Sequence, residues 1–202
     1  MFVKICGLST REHVEAAVAG GADAVGFVFA ESVRRIDPRS AARLATSVPG
    51  SVKKVAVMLH PSNDEWQAVL DDFMPDVLQA DAEDFDALDI PESVKRWPVY
   101  REPKMGSDRL SDAKSRSDPF VYEGAKSGQG ETVDWARAAE VARHGDIILA
   151  GGLDPDNVAA AIAAVHPWGV DVSSGVELAP GRKDTRLIER FISAARAAET
   201  DA

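Results

Sequence analysis

One cysteine, four histidines and an aromatic content of 6% in 202 residues leave several function classes without the side chains they need. A lone Cys6 excludes an internal disulfide, which suits a reducing compartment. His13, His60, His144 and His166 show no metal-ligand spacing, so no metal site is expected. No apolar run approaches the roughly 20 residues that a helix needs to span a bilayer. No basic stretch followed by a long apolar run opens the sequence, so no signal peptide and a cytoplasmic location are expected. Positive charge is also short, with 23 Lys and Arg against 33 Asp and Glu, a net charge of −10. Such a field repels a phosphate backbone, which excludes general nucleic-acid binding. An anionic small substrate therefore requires a local positive site.

What is present is an alternation of short β-branched or apolar runs with alanine-rich amphipathic stretches. The pattern predicts strands at Phe2–Cys6, Ala24–Phe29, Lys54–Met58, Val77–Gln79, Pro98–Arg101, Phe120–Glu123, Ile147–Ala150 and Val170–Ser173. Helices are predicted at Arg11–Ala19, from Pro38, and at Asn63–Phe73, Asp84–Asp89, Asp108–Lys114, Asp134–Arg143, Asp156–Val165 and Thr185–Arg196, with Glu199–Ala202 a frayed tail. Eight strand–helix pairs in one domain, residues 1–202, favour a closed eight-stranded parallel (β/α)8 barrel over an open doubly wound sheet. An open flavodoxin-like sheet uses five units. The length is short against the roughly 250 residues common in such barrels, which implies tight connections.

Active sites of these barrels lie where strands end and the following loops begin. Cys6, Glu123, Ala150 and Ser173 all occupy such ends. Cys6 alone reads as a small buried hydrophobe, but Lys4 shares its face of the strand. An inward ammonium there would lower the thiol's pKa from about 8.5. Gly151-Gly152 and Ser173-Ser174-Gly175 follow the last two strands, where glycines and a helix start offer backbone donors to a phosphate. Glu123 stands where the sixth strand ends, across the barrel from the first. Partial burial would make it a general acid, and exposure would make it a loop glutamate. Arg34, in Ser32-Val33-Arg34-Arg35, reads either as a carboxylate grip or as surface charge. Trp66, Trp97, Trp135 and Trp168 are assigned to the core or its edges.

Lys4-Ile5-Cys6-Gly7, Gly21–Phe29, Ser32-Val33-Arg34, Asp134-Trp135, Ala150-Gly151-Gly152-Leu153, Asn157-Val158, Asp171–Glu177, Pro180-Gly181 and Lys183-Asp184 together resemble the phosphoribosylanthranilate isomerase family. The resemblance runs from Met1 to about Ala195. It implies an Amadori rearrangement of N-(5-phosphoribosyl)anthranilate in tryptophan biosynthesis, with no cofactor and a phosphosugar as substrate. It further implies Cys6 as base, Glu123 as acid, Arg34 on the anthranilate carboxylate and Asp171 orienting the anthranilate amine. It leaves the chain a monomer or a homodimer, with no membrane partner. Two departures stand out. The family's Gln-Leu-His-Gly stretch reads Gln79-Ala80-Asp81-Ala82, and its catalytic aspartate corresponds to Glu123, one methylene longer, ahead of a Ser127–Gly130 loop. Rival acids are Asp118 and Glu131. Competing readings are a histidine-pathway aminoaldose isomerase, against which Cys6 argues, and a catalytically idle phosphate-binding barrel.

Overall fold

A computed structural model describes residues 1–102, 118–124 and 133–200. Eight parallel strands close into a barrel in sequence order: β1 (Phe2–Cys6), β2 (Ala24–Val28), β3 (Lys53–Val57), β4 (Val77–Asp81), β5 (Lys95–Arg101), β6 (Phe120–Glu123), β7 (Ile147–Leu149) and β8 (Gly169–Val172). β1 pairs with both β2 and β8, which closes the ring. Helices α1 (Arg11–Ala19), α2 (Pro38–Ala45), α3 (Asn63–Phe73), α4 (Trp135–Ala142), α5 (Val158–Val165) and α6 (Thr185–Thr200) accompany them. A hairpin, β9 (Glu177–Ala179) and β10 (Arg182–Lys183), follows β8.

Local chemistry sets the helix starts. Thr10, Asp37, Ser62 and Asp134 each accept a bond from a backbone N–H of the first turn. Ser62 and Glu65 form a reciprocal capping box, and Pro38 opens its helix where no N–H is needed. Loss of one such cap costs about 1 kcal/mol. Two aspartates serve strand starts instead: Asp23 Oδ2 accepts from Val3 N at 2.7 Å and Asp76 Oδ2 from Lys54 N at 2.8 Å.

The core has two shells, as expected of strands buried on both faces. Outward residues such as Ile5, Phe27, Leu78 and Tyr122 meet Trp66, Phe73, Ile188 and Phe191 from the helices. Inward residues Ala24, Val55, Val77, Trp97, Val99, Val121 and Ile148 fill the barrel. Phe2 stands edge-on to Trp97 at 5.6 Å and stacks on Trp168 at 4.5 Å, plugging the end away from the strand C-termini.

Three expectations are corrected. The helix expected at Asp84–Asp89 is a 3-10 turn at Ala82–Asp86, because Asp84 is held by His60, whose N and Nδ1 lie 3.0 and 2.8 Å from its carboxylate. The tail expected to fray at Glu199 is helical to Thr200, with Glu199 paired to the Met1 ammonium. The sixth strand is three places from the first in the ring; β5 is the one opposite. The helix expected at Asp108–Lys114 lies outside the described residues.

Candidate active site

Strand register brings the first two candidates together. Lys4 lies level with Ala24 and Asp171, and Cys6 with Gly26, and all of these project inward. Gly26 makes the space: a Cβ there would sit 3.0 Å from Cys6 Sγ and 3.1 Å from Lys4 Cε. Lys4 is wholly buried and its Nζ donates to Asp171 Oδ2 at 2.7 Å. The inward position of Lys4 and its downward pull on the thiol are as expected, but the net direction is not. Burial pushes the Cys6 pKa up, Lys4 pulls it down, Asp171 pushes it up and Lys183 pulls it down, with a net rise. The physical reason is that Asp171 already neutralises the Lys4 ammonium, leaving desolvation to dominate. Asp171 Oδ1, also buried, has no hydrogen-bond partner among the described residues. An unpaired buried acceptor costs about 1–3 kcal/mol, so this one is poised for a donor on a ligand.

Glu123 is 8% exposed at the end of β6. It is therefore buried and not an exposed loop glutamate, and its surroundings are charged. Arg101 Nε donates to Glu123 Oε1 at 3.2 Å, and Arg101 Nη1 also reaches Asp81 Oδ1. Of the rival acids, Asp118 pairs with Lys95 at 3.2 Å, just before β6 begins and so away from the mouth, and Glu131 lies outside the described residues.

The two glycine turns meet as one wall. Gly151 and Gly152 take left-handed φ of 95° and 64°, which L side chains rarely adopt. Gly175 packs so closely behind this turn that a Cβ would lie 1.9 Å from Leu153 O. Ahead of α5, Asp154 Oδ1 accepts from the N–H groups of Asp156 at 2.8 Å and Asn157 at 2.9 Å, while the helix itself starts without a side-chain cap. Asn157 Nδ2 in turn fixes Gly152 O at 2.8 Å. The glycine turn, the start of α5 and the 3-10 turn at Ser174–Val176 are the candidate backbone donors for a phosphate.

Arg34 is gripped along one edge by Glu177: Nε to Oε1 at 2.7 Å and Nη2 to Oε2 at 2.8 Å. Lys183, buried, donates to Glu177 Oε1 at 2.8 Å and to Ser173 O at 2.8 Å. One carboxylate and two basic groups meet in this cluster, and burial lowers the Lys183 pKa against the upward pull of Glu177. Burial alone would raise Glu177, but Arg34 and Lys183 outweigh it and hold its pKa near about 2.

Cys6, Arg34, Gln79, Arg101, Glu123, Gly151, Gly152, Asp171, Ser173 and Ser174 line a single cavity of about 230 Å³ at the strand C-termini. A family model described as N-(5'phosphoribosyl)anthranilate (PRA) isomerase matches residues 3–194. The chain belongs to the phosphoribosylanthranilate isomerase family. It is 40% identical to an N-(5'-phosphoribosyl)anthranilate isomerase of Geobacter sp. (strain M21), over 96% of this chain and 97% of the relative. The solved phosphoribosyl anthranilate isomerase from Thermotoga maritima superposes with a TM-score of 0.82 at 30% identity, covering 98% and 99% of the two chains. Another phosphoribosyl anthranilate isomerase, solved in complex with reduced 1-(o-carboxyphenylamino)-1-deoxyribulose 5-phosphate, matches at a TM-score of 0.79, 30% identity and coverage of 98% and 99%.

Against this isomerase frame, the residues without a role in the sequence reading are Arg101, Asp81, Gln79, Glu177 and Lys183. Glu177 and Lys183 sit within stretches that resemble the family, and inward alternation along β4 and β5 marks Gln79, Asp81 and Arg101. Nothing in the sequence shows which of these charges meet. Among the described residues, no group of three or more His, Cys, Asp or Glu side chains is placed to hold a metal ion, and no helix is long and apolar enough to cross a membrane.

Proposed function

We propose that this chain isomerises N-(5'-phosphoribosyl)anthranilate to 1-(2-carboxyphenylamino)-1-deoxyribulose 5-phosphate in tryptophan biosynthesis, with Cys6 as base and Glu123 as acid. The observation that carries this reading is the placement of both residues on one cavity whose wall also holds Gly151-Gly152 and Ser173-Ser174. Glu123, protonated, gives its proton to the ribose ring oxygen. The ring C–O bond breaks and the anomeric carbon becomes a Schiff base with the anthranilate nitrogen. Cys6, as thiolate, then takes the proton from C2, and the resulting enolamine relaxes to the ketone.

Each supporting group has a physical task. Asp171 Oδ1, the buried acceptor without a partner among the described residues, takes the anthranilate N–H. Arg34 keeps donors beyond the edge held by Glu177, since a guanidinium carries five N–H groups, and these meet the anthranilate carboxylate. The glycine and 3-10 turns receive the phosphate. A thiol whose pKa is raised is a stronger base when ionised but is ionised less often near neutral pH, so the rate depends on both. The proton transfers need only side chains and no cofactor. Every proposed group comes from one chain, so a monomer and a homodimer would work alike, in the cytoplasm.

Two measurements test this. The purified protein should convert synthetic N-(5'-phosphoribosyl)anthranilate to the ketone, with Cys6→Ser and Glu123→Gln nearly inactive. The gene should restore growth without tryptophan to a strain lacking the isomerase. Ligand binding without turnover or rescue would instead establish an idle barrel.

A further inference from the structure

Arg34 is fixed along its whole length. Its main chain is set by Ser32, whose hydroxyl accepts from Arg34 N at 3.1 Å, and by the bond from Ile36 N to Val28 O at 2.9 Å. Its stem packs over Gly7, the residue after Cys6, where an added Cβ would lie 2.8 Å from Arg34 Cδ. Its guanidinium is gripped along the Nε–Nη2 edge by both oxygens of Glu177. Glu177 is held in turn, with Gly181 N donating to Oε2 at 3.2 Å and Lys183 Nζ to Oε1 at 2.8 Å. Lys183 also reaches Ser173 O at 2.8 Å and Ser173 Oγ at 3.2 Å, which ties this chain of contacts to the phosphate wall. The hairpin lies directly against the Arg34 turn: Gly181 has a φ of 78°, and a Cβ there would lie 2.7 Å from Val33 O.

A guanidinium is planar and rigid, so holding one edge also sets the direction of the other. That other edge, Nη1 with the outer hydrogen of Nη2, makes no hydrogen bond among the described residues, and Arg34 lines the cavity that holds Cys6. Two parallel N–H groups match the two oxygens of a carboxylate. A ring without that substituent leaves both unmet. Glu177 is not among the residues that line the cavity, so it acts through Arg34 and not on a ligand. Arg34 and Lys183 hold the Glu177 carboxyl near about 2, so the grip stays ionic at neutral pH.

We propose that Glu177, carried on the β9–β10 hairpin, is the positioning residue that aims the free fork of Arg34, and so makes the site selective for substrates whose aromatic amine bears an ortho carboxylate. This rests on the reading of Arg34 as the carboxylate grip. Selectivity is thereby set from outside the cavity, by a hairpin that follows the last strand.

The test uses two stable ligands: reduced 1-(o-carboxyphenylamino)-1-deoxyribulose 5-phosphate, and the same compound built from aniline, which lacks the carboxylate. Calorimetry measures both on the full chain for the parent, Glu177→Gln, Gly181→Ala and Arg34→Met. The parent should prefer the carboxylated compound by about 10²-fold. Glu177→Gln offers one acceptor where two donors wait. It should weaken the carboxylated compound by about tenfold or more and leave the aniline compound within about threefold. Gly181→Ala keeps every charge but pushes the hairpin off Val33, and should show the same selective loss. A purely structural role would weaken both ligands alike. Equal losses for the two ligands, or a preference in Glu177→Gln as large as the parent's, would overturn the proposal. If Glu177→Gln does not fold, as judged by circular dichroism, Gly181→Ala decides alone. Arg34→Met separates the two levels. A preference lost in Arg34→Met but kept in Glu177→Gln sinks only the role of Glu177. A preference kept in Arg34→Met, or missing from the parent, sinks the carboxylate reading of Arg34 as well.

Discussion

Replacing Gly175 by alanine would drive a methyl group into the carbonyl of Leu153. The added Cβ would start 1.9 Å from Leu153 O, 2.9 Å from Leu153 C and 3.0 Å from Asp154 Cα. Ordinary contact begins near 3.4 Å, so one backbone must retreat by about 1.5 Å. No flexible side chain is available to give way, because every atom met is backbone. Overpacking of this kind costs about 1–3 kcal/mol, and each kcal/mol lowers the melting temperature of a chain this size by roughly 2–4 °C. The functional cost is larger. The displacement would part the Gly151–Leu153 turn from the Ser173–Gly175 turn, and a misplacement of about 1 Å can cost about 100-fold in rate. Steady-state kinetics should therefore show kcat/KM reduced by about two orders of magnitude. Inhibition by inorganic phosphate should weaken in parallel. Gly50→Ala is the control, since nothing lies within 4 Å of its added Cβ. A Gly175→Ala protein with the parent's melting temperature, KM and phosphate affinity would refute the shared phosphate wall.

Other outcomes follow from the same geometry. Cys6→Ser should lower kcat by about 10²–10⁴ while the melting temperature and product affinity measured by calorimetry stay near the parent's; retained turnover would reduce Cys6 to packing. Lys4→Met should strand the buried Asp171 charge and cost about 3–5 kcal/mol in urea unfolding, far beyond the usual surface substitution. Glu177, held at about 2, binds its proton less tightly in the fold than in the unfolded chain, where a glutamate titrates near about 4.3. Its contribution is thus complete above that range and fades as pH falls toward about 2; unfolding curves of Glu177→Gln should lack this part of the acid dependence. Glu123→Asp, which shortens the acid, should lose its bond to Arg101 and fall in kcat with KM nearly unchanged; an unchanged kcat would show that the strand end tolerates either length.

The sequence by itself determined the elements and most of their order. Its eight apolar runs and the helices between them are local facts, set by side-chain period, capping residues such as Thr10, Asp37 and Ser62, and proline at a helix start. It also placed Cys6, Glu123, Gly151 and Ser173 at strand ends, because alternation along a strand needs no knowledge of the partner strand. Lys4 was legible as inward for the same reason. Its consequence was not, since the Asp171 carboxylate that neutralises it comes from the far end of the chain. Likewise Arg34 was visible, but the Glu177 and Lys183 that fix and charge-balance it arrive on a hairpin after the eighth strand. Arg101, Asp81 and Glu123 come from three strands, and only the register of β4, β5 and β6 sets them side by side. Pattern is a property of neighbours in sequence. The strength and sign of an electrostatic site depend on distance and burial, which closure of the barrel alone decides.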